Sequence, residues 1–149
     1  MNAIILAAGQ GNRLKPLTND KPKCLVELFG KSLLNWQLDI FHKLKINDIS
    51  IVKGYLQEQI TFPNINFYEN KNYETTNMIE TLFCAREKLV DSVIISYGDI
   101  IFEKKVLQKI IDAEDDISVI VDLDWEKYWK LRDRKSTRLN SSHQIISYA

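Results

Sequence analysis

Residues 6–14 read Leu-Ala-Ala-Gly-Gln-Gly-Asn-Arg-Leu, and they follow directly on the apolar residues Ala3-Ile4-Ile5. An apolar run that ends in glycines is typical of a buried strand followed by a tight loop. Gly9 and Gly11 let the backbone approach an anion closely and turn amide N–H groups toward it. A dinucleotide loop would need a third glycine where Leu14 stands, and a P-loop would need Gly-Lys-Ser/Thr. The sequence therefore predicts a polyphosphate loop of another kind.

Basic residues crowd the segment that follows these glycines. It continues with Lys15-Pro16-Leu17-Thr18 and then Lys21-Pro22-Lys23. Arg13, two residues after the second glycine, is placed to reach the β- and γ-phosphates of a nucleotide, and Pro22 stiffens the chain just before Lys23. A basic surface loop with ordinary glycines is the alternative. The combination favours nucleotide binding.

Composition limits the kinds of partner. The chain has 149 residues, with 20 basic and 20 acidic side chains, so no net field favours nucleic acid or an anionic membrane surface. The two cysteines, Cys24 and Cys84, match no metal or redox spacing. No apolar stretch approaches the length of a membrane span. We therefore expect a cytoplasmic protein that binds neither nucleic acid nor membrane.

Apolar runs and helical spacings alternate along the chain. Ser32 is suited to begin a helix, because a serine side chain can accept a hydrogen bond from the first helical turn. Strands that alternate with helices of about ten residues indicate βαβ units, hence an α/β fold with a mostly parallel sheet. Ligands of such sheets gather at the carboxyl ends of the strands. The strands are predicted at residues 2–7, 48–52, 65–68, 92–96 and 117–123, and the longer helices at 32–41, 78–89 and 103–113.

Asp99 is the candidate metal ligand. It follows the apolar run Val93-Ile94-Ile95, so it is expected at a strand's carboxyl end, on the same edge of the sheet as the glycine loop. A carboxylate there suits Mg²⁺, which takes few protein ligands and completes its shell with phosphate oxygens. An ordinary Gly-Asp turn is the alternative.

Two further segments allow two interpretations each. Asn77 and Glu80 have the spacing of a capping box at a helix start, and Thr76-Asn77 is also a candidate nucleotide contact. Trp125, Tyr128 and Trp129 are candidates for an aromatic box around a quaternary ammonium, but their spacing also fits a helix that faces the core.

The segment LAAGQGNRLKPLT, followed by KPKCLVE, closely resembles the signature of the sugar-1-phosphate and choline-phosphate nucleotidyltransferases. Four later segments are most similar to the choline-phosphate cytidylyltransferase branch of bacteria. The resemblance covers residues 2 to about 131 and implies a Rossmann-like, three-layer α/β/α fold. The four segments are residues 51–55, 73–77, 96–100 and 121–125.

The resemblance implies an enzyme that moves a nucleoside monophosphate from a nucleoside triphosphate to a phosphorylated acceptor and releases pyrophosphate, with Mg²⁺ as cofactor. CTP and phosphocholine are the first expectation. Sugar-1-phosphates with UTP or dTTP, and aminoalkylphosphonates with CTP, are the enzymatic alternatives. A nucleotide-sensing domain without catalysis is the alternative from another class. The oligomeric state is left open.

Carried over residue by residue, the resemblance also implies roles at the site. Arg13 would stabilise the charge that moves to pyrophosphate, Lys23 would bridge the α-phosphate and the acceptor phosphate, and Asp99 would hold Mg²⁺. Asp124 and Trp125 would contact the acceptor. The expected nucleotide-binding residues are Leu6, Ala7, Ala8, Gly9, Gly11, Asn12, Thr76, Asn77 and Gly98.

Residues 133–149 differ in character from the rest of the chain. They read DRKSTRLNSSHQIISYA and, apart from Gln144-Ile145, resemble the in-frame translation of a common sequencing adapter. We expect residues 1–132 to be the N-terminal part of a nucleotidyltransferase domain, truncated on its C-terminal side, and 133–149 to be a non-native, disordered tail. The family's second metal carboxylate would then lie further on. On this expectation the 149-residue chain binds a nucleotide weakly and does not turn over.

Overall fold

The structure, a computed structural model, describes residues 1–130. The predicted tail, residues 133–149, lies outside these described residues. The chain divides into two compact units, the first spanning Met1–Lys104 and the second beginning at Lys105.

The first unit is built on a four-stranded parallel sheet with the order β5-β4-β1-β6. Register pairs such as Ile5 with Ile51, on one side, and Ile5 with Ser96, on the other, place β1 at the centre. This confirms the predicted α/β class and the parallel sheet. The strands are β1 (Asn2–Ala7), β2 (Glu27–Leu28), β3 (Lys31–Ser32), β4 (Ile49–Lys53), β5 (Asn66–Glu69) and β6 (Val93–Tyr97); β2 and β3 form a separate antiparallel pair.

The burial of each strand follows its position in the sheet. Ala3, Ile4 and Ile5 of β1 are fully buried, as expected for a central parallel strand covered on both faces. β6 lies at an edge of the sheet and alternates instead, with Ile94 buried and Ile95 half exposed. Because β1, β4 and β6 run parallel to one another, their carboxyl ends meet at one edge of the sheet, which we call the rim.

Helix α1 (Leu33–Lys43) follows its sequence prediction closely. Its N-cap is Ser32, whose Oγ accepts a hydrogen bond from the amide of Asn35 at 3.1 Å. The helix buries Leu34, Leu38 and Phe41, the apolar residues whose near-helical spacing predicted it. The other helices are α2 (Met78–Phe83), α3 (Lys104–Ile111) and α4 (Trp125–Lys130).

Helix α2 is shorter than the predicted helix over residues 78–89. It ends at Phe83 and is followed by a single 3₁₀ turn, Arg86–Lys88. Ala85, between the two, is fully buried in one cluster with Ile4 and Val52. Packing against the sheet therefore ends the helix earlier than the spacing of apolar residues suggested. Helix propensity is only a weak guide where tertiary packing acts against it.

The predicted strand over residues 117–123 is wrong. These residues form no regular structure, and Ile117 and Leu123 are 84% and 90% exposed. A strand exists only through a hydrogen-bonded ladder with a neighbour, and no strand within residues 1–130 pairs with this segment. Its apolar composition matched a buried strand but did not supply the partner.

Within the described part of the chain, we find no helix with the length and apolar character that a membrane span requires.

Candidate functional site

Backbone hydrogen bonds tie the loops of the rim to the end of β1. The amide of Gly98, just after β6, donates to the carbonyl of Leu6 at 2.8 Å. The amide of Tyr55, just after β4, donates to the carbonyl of Ala8 at 3.0 Å. The glycine loop therefore starts from a backbone that is held on both sides, and three of the predicted binding residues, Leu6, Ala8 and Gly98, lie at this junction.

Gly11 makes the turn of the glycine loop. Its φ of 69° lies in the left-handed region that favours glycine, and the short 3₁₀ helix Asn12–Leu14 starts from it. The buried hydroxyl of Thr18 donates to the carbonyl of Gly11 at 2.9 Å and fixes the loop from behind. A Cβ on Gly11 would lie 2.8 Å from the Cβ of Lys23, so the absence of a side chain also lets Lys23 approach the loop.

Gly9 occupies the open part of the same loop. It is exposed, and a Cβ added there would meet no atom within 4 Å. The space above Gly9 is therefore available to a ligand, which fits the predicted approach of a phosphate to the backbone.

Lys23 and Asp99 meet at the rim although 76 residues separate them. The Lys23 ammonium forms an ion pair with the Asp99 carboxylate, and the two side chains are 30% and 31% exposed. Lys23 is held by the buried Pro22 before it and the 3₁₀ turn Lys23–Leu25, while Asp99 sits in the turn after β6. The sequence predicted both residues separately, and the structure brings them into contact.

Arg13 stands apart from that pair. It lies in the 3₁₀ helix after Gly11, is exposed, and forms no ion pair with any residue between 1 and 130. Its guanidinium is therefore free to take an anion from solvent. Asn12, the other predicted binding residue of this turn, donates from Nδ2 to Oε1 of Gln10 at 2.8 Å.

Cys24 lies under the rim, and its thiol is unreactive. The pKa of its thiol is raised to about 12, mainly because the thiol is buried. A backbone hydrogen bond of Cys24 lowers this pKa, and the negative charge of Asp99 raises it further. The thiol therefore stays protonated at neutral pH and cannot act as a nucleophile. Cys24 and Cys84 are both free.

The loop between β5 and α2 is organised by Asn70, which the sequence did not single out. Its buried side chain donates to the hydroxyls of Thr76 at 2.8 Å and Thr81 at 2.9 Å. Asn77 caps α2, because its Oδ1 accepts from the amides of Ile79 and Glu80 at 2.9 and 3.1 Å. The capping role of Asn77 is confirmed, whereas its nucleotide contact stays a prediction.

A side-chain bond joins this loop to the glycine loop. Nε2 of Gln10 donates to Oε1 of Glu74 at 3.0 Å. The segment that carries Thr76 and Asn77 is therefore held beside the glycine loop, and the two could contact one ligand together.

Gly54 is a site residue that the sequence reasoning missed. It directly follows β4 and is buried, and a Cβ there would lie 2.7 Å from the carbonyl oxygen of Ala8 and 2.8 Å from the Cβ of Tyr73. Contacts this short essentially never occur, so only glycine fits between β4 and the glycine loop. Its position directly after a predicted strand was the signal that could have revealed it.

Asp124 and Trp125, the predicted acceptor contacts, belong to the second unit. Asp124 forms an ion pair with Lys127 at 2.6 Å, and Trp125 begins α4 with half of its surface exposed. Their acceptor role stays a prediction, and so does an aromatic box with Tyr128 and Trp129.

Gly9 and Gly54 provide a test that separates ligand binding from packing. We expect Gly54→Ala to lower the free energy of unfolding by about 1–3 kcal/mol, the usual cost of overpacking. Gly9→Ala should leave stability unchanged and weaken CTP binding by about tenfold or more, because its Cβ occupies the space open to a phosphate. Chemical denaturation and a CTP titration of both variants measure the two effects. Equal CTP affinity of Gly9→Ala and the parent chain would contradict this assignment of the loop.

Comparison with known proteins identifies the family of this chain. Residues 3–131 match the model of the MobA-like NTP transferase domain. The chain belongs to this family of nucleotidyltransferases. The match includes the whole rim, from the glycine loop to Asp99.

Two individual relatives are similar to most of the chain. The chain is 38% identical to the CTP:phosphoglutamine cytidylyltransferase of Campylobacter jejuni, over 89% of this chain and 56% of the relative. It is 36% identical to the choline-phosphate cytidylyltransferase of Streptococcus pneumoniae, over 69% of this chain and 47% of that protein. The chain thus spans about half the length of these relatives. Both relatives are cytidylyltransferases, one with phosphoglutamine and one with choline phosphate in its name.

A solved structure agrees with the fold. The CTP:phosphocholine cytidylyltransferase structure from Streptococcus pneumoniae superimposes with a TM-score of 0.63 at 36% identity, covering 66% of this chain and 44% of that one. The Rossmann-like nucleotidyltransferase fold that the sequence predicted is therefore confirmed for this chain.

Proposed function

We propose that the protein transfers the CMP group of CTP to a small phosphorylated acceptor and releases pyrophosphate. The observation that carries this proposal is the Lys23–Asp99 pair at an open glycine loop, where a cation and a carboxylate lie together beside space that a phosphate can enter. Phosphoryl-type transfer depends on positioning and charge neutralisation more than on covalent chemistry, and this arrangement supplies both.

In the proposed complex the backbone around Ala8, Gly9 and Gly11 receives the triphosphate. Lys23 breaks its ion pair with Asp99 and binds the α-phosphate and the acceptor phosphate instead. A phosphate oxygen of the acceptor then forms a bond to the α-phosphorus, and the bond from that phosphorus to the bridging oxygen of pyrophosphate breaks. Arg13, which has no ion pair within residues 1–130, neutralises the charge that develops on pyrophosphate.

Asp99 would hold Mg²⁺. Within residues 1–130, no three His, Cys, Asp or Glu side chains cluster closely enough to hold a metal alone. This fits Mg²⁺, which is commonly bound by one or two carboxylates together with substrate phosphates. When bound, the ion would neutralise phosphate charge at the reacting group. The partly exposed carboxylate of Asp99 would be released for this role when Lys23 turns to the phosphates.

The relatives support CTP as the nucleotide and leave the acceptor to experiment. Phosphocholine is the acceptor that the sequence first suggested, and the relative matched over 89% of this chain adds phosphoglutamine. Sugar-1-phosphates with UTP or dTTP and aminoalkylphosphonates with CTP are the remaining enzymatic candidates. We expect the reaction in the cytoplasm, with no nucleic acid or membrane partner.

A nucleotide-sensing domain is the non-enzymatic alternative. Such a domain needs a phosphate loop but no cation and carboxylate arranged around the reacting phosphate. The presence of Arg13, Lys23 and Asp99 on one rim favours the enzyme.

The test is transfer of label from [α-³²P]CTP, measured in the longest natural reading frame that contains residues 1–132. Phosphocholine, phosphoglutamine, 2-aminoethylphosphonate and glucose-1-phosphate are offered separately, and UTP and dTTP replace CTP in parallel. We expect label in one CDP-linked product together with an equal amount of pyrophosphate. Nucleotide binding without transfer to any acceptor would support the sensing domain instead.

A further inference from the structure

A buried glutamine of α1 reaches the turn that carries Asp99. The side chain of Gln37 is 1% exposed and lies on the same helix face as Leu34, Leu38 and Phe41. A buried amide in an apolar face is costly unless all its polar atoms are bonded. Both polar atoms of the Gln37 amide form hydrogen bonds, and these bonds connect Gln37 to the rim.

Gln37 clamps both ends of the Asp99 turn. Its Nε2 donates to the carbonyl of Tyr97 at 2.8 Å and to the carbonyl of Ile100 at 2.9 Å. These residues are the first and last of the four-residue turn that contains Gly98 and Asp99. A single amide nitrogen therefore fixes the distance between the two ends of the turn.

The orientation of this amide is determined by its partners. Two carbonyl oxygens can only accept, so the NH₂ group must face them. The opposite side of the amide, Oε1, accepts from the hydroxyl of Ser96 at 2.8 Å, and Ser96 is itself buried. Reversing the amide would place an oxygen against two carbonyls, so Ser96 and the turn hold Gln37 in one arrangement.

From this geometry we propose that Gln37 is a positioning residue for metal binding, with Ser96 holding Gln37 in turn. This inference rests on the proposed function of Asp99. Gln37 touches neither the carboxylate nor the phosphates; it sets where the turn presents Asp99. Groups that orient a metal ligand commonly change metal affinity by about 10–100-fold when removed.

The test measures how strongly Mg²⁺ strengthens CTP binding. CTP is titrated into the ¹⁵N-glycine-labelled 149-residue chain, once with Mg²⁺ and once with EDTA, and the Gly9 amide shift gives the two affinities. The ratio of these affinities is the magnesium enhancement. In Gln37→Met, which conserves side-chain volume, we expect the enhancement to fall about tenfold. CTP affinity in EDTA should stay within about twofold of the parent, because the glycine loop is untouched.

A second variant guards against loss of folding in the first. Ser96→Ala keeps the amide of Gln37 and removes only its support, so we expect a smaller loss of enhancement, of about threefold. Ser50→Ala is the matched control, because Ser50 is an equally buried serine of the same sheet. Its hydroxyl has no hydrogen-bond partner among residues 1–130. The control should keep the full enhancement.

The outcomes separate this inference from the proposed function. If the parent chain shows Mg²⁺-enhanced CTP binding and both variants retain the full enhancement, Gln37 is a structural residue only and the inference is overturned. If the parent chain shows no magnesium enhancement of CTP binding, the inference is overturned, while the proposed function is decided separately by the transfer of label in the longest natural reading frame.

Discussion

Lys23→Ala is expected to lower the rate of CMP transfer by about 10²-fold or more, and Arg13→Ala should have an effect of the same order. A loss of this size is expected when one charged donor to a transition state is removed. Stability should change little, because Arg13 is exposed and the Lys23–Asp99 pair is partly solvated, and such pairs contribute little to folding. Initial rates of pyrophosphate release in the longest natural reading frame measure the effect.

Lys88 supplies the matched control for Lys23. Lys88 forms an ion pair with Asp48 at 2.9 Å, and its side chain is about as exposed as that of Lys23. This ion pair does not lie at the carboxyl ends of the strands. Lys88→Ala should leave turnover unchanged. Near-normal turnover of Lys23→Ala or Arg13→Ala would remove that residue from the mechanism, and an equal loss in Lys88→Ala would show that the effect is structural.

Asp99→Asn should abolish most of the activity and raise the Mg²⁺ concentration needed for what remains. Asparagine keeps the size and much of the hydrogen bonding of aspartate but loses the charge that holds the ion. The magnesium dependence of pyrophosphate release is compared between this variant and the parent. Asp48→Asn, which also removes the acidic partner of a lysine, should follow the parent curve.

Superimposable magnesium titrations of Asp99→Asn and the parent would reduce Asp99 to a turn residue. Lys23 would lose its partner in this variant but keep its charge, so a loss of activity without any change in magnesium dependence would point to the ion pair rather than to the metal.

Much of the fold could be predicted because the decisive signals are local. The apolar run before Gly9 becomes β1, and Ser32 caps α1 as a serine at that position should. The glycine loop and Asp99 were placed on one edge of the sheet by a general property of parallel sheets. No longer-range information was needed for these features.

The features that could not be predicted depend on partners far away in the chain. Gln37 is a polar residue in an apolar helix face, and the sequence does not show that it bonds to carbonyls about 60 residues later. Gly54 is constrained by a carbonyl of another loop. The segment 117–123 has the composition of a strand, yet a strand requires a neighbour that composition does not specify.

The most direct test of the central claim, that the rim holds a magnesium–nucleotide complex, is the glycine amide spectrum of the 149-residue chain. The chain has five glycines: Gly9, Gly11, Gly54 and Gly98 lie at the rim, and Gly30 lies in the turn between β2 and β3. Titration with MgCTP should shift the amides of Gly9, Gly11 and Gly98 in a saturable way and leave that of Gly30 unchanged. Resonances that all stay in place at millimolar MgCTP, or a shift confined to Gly30, would contradict the account.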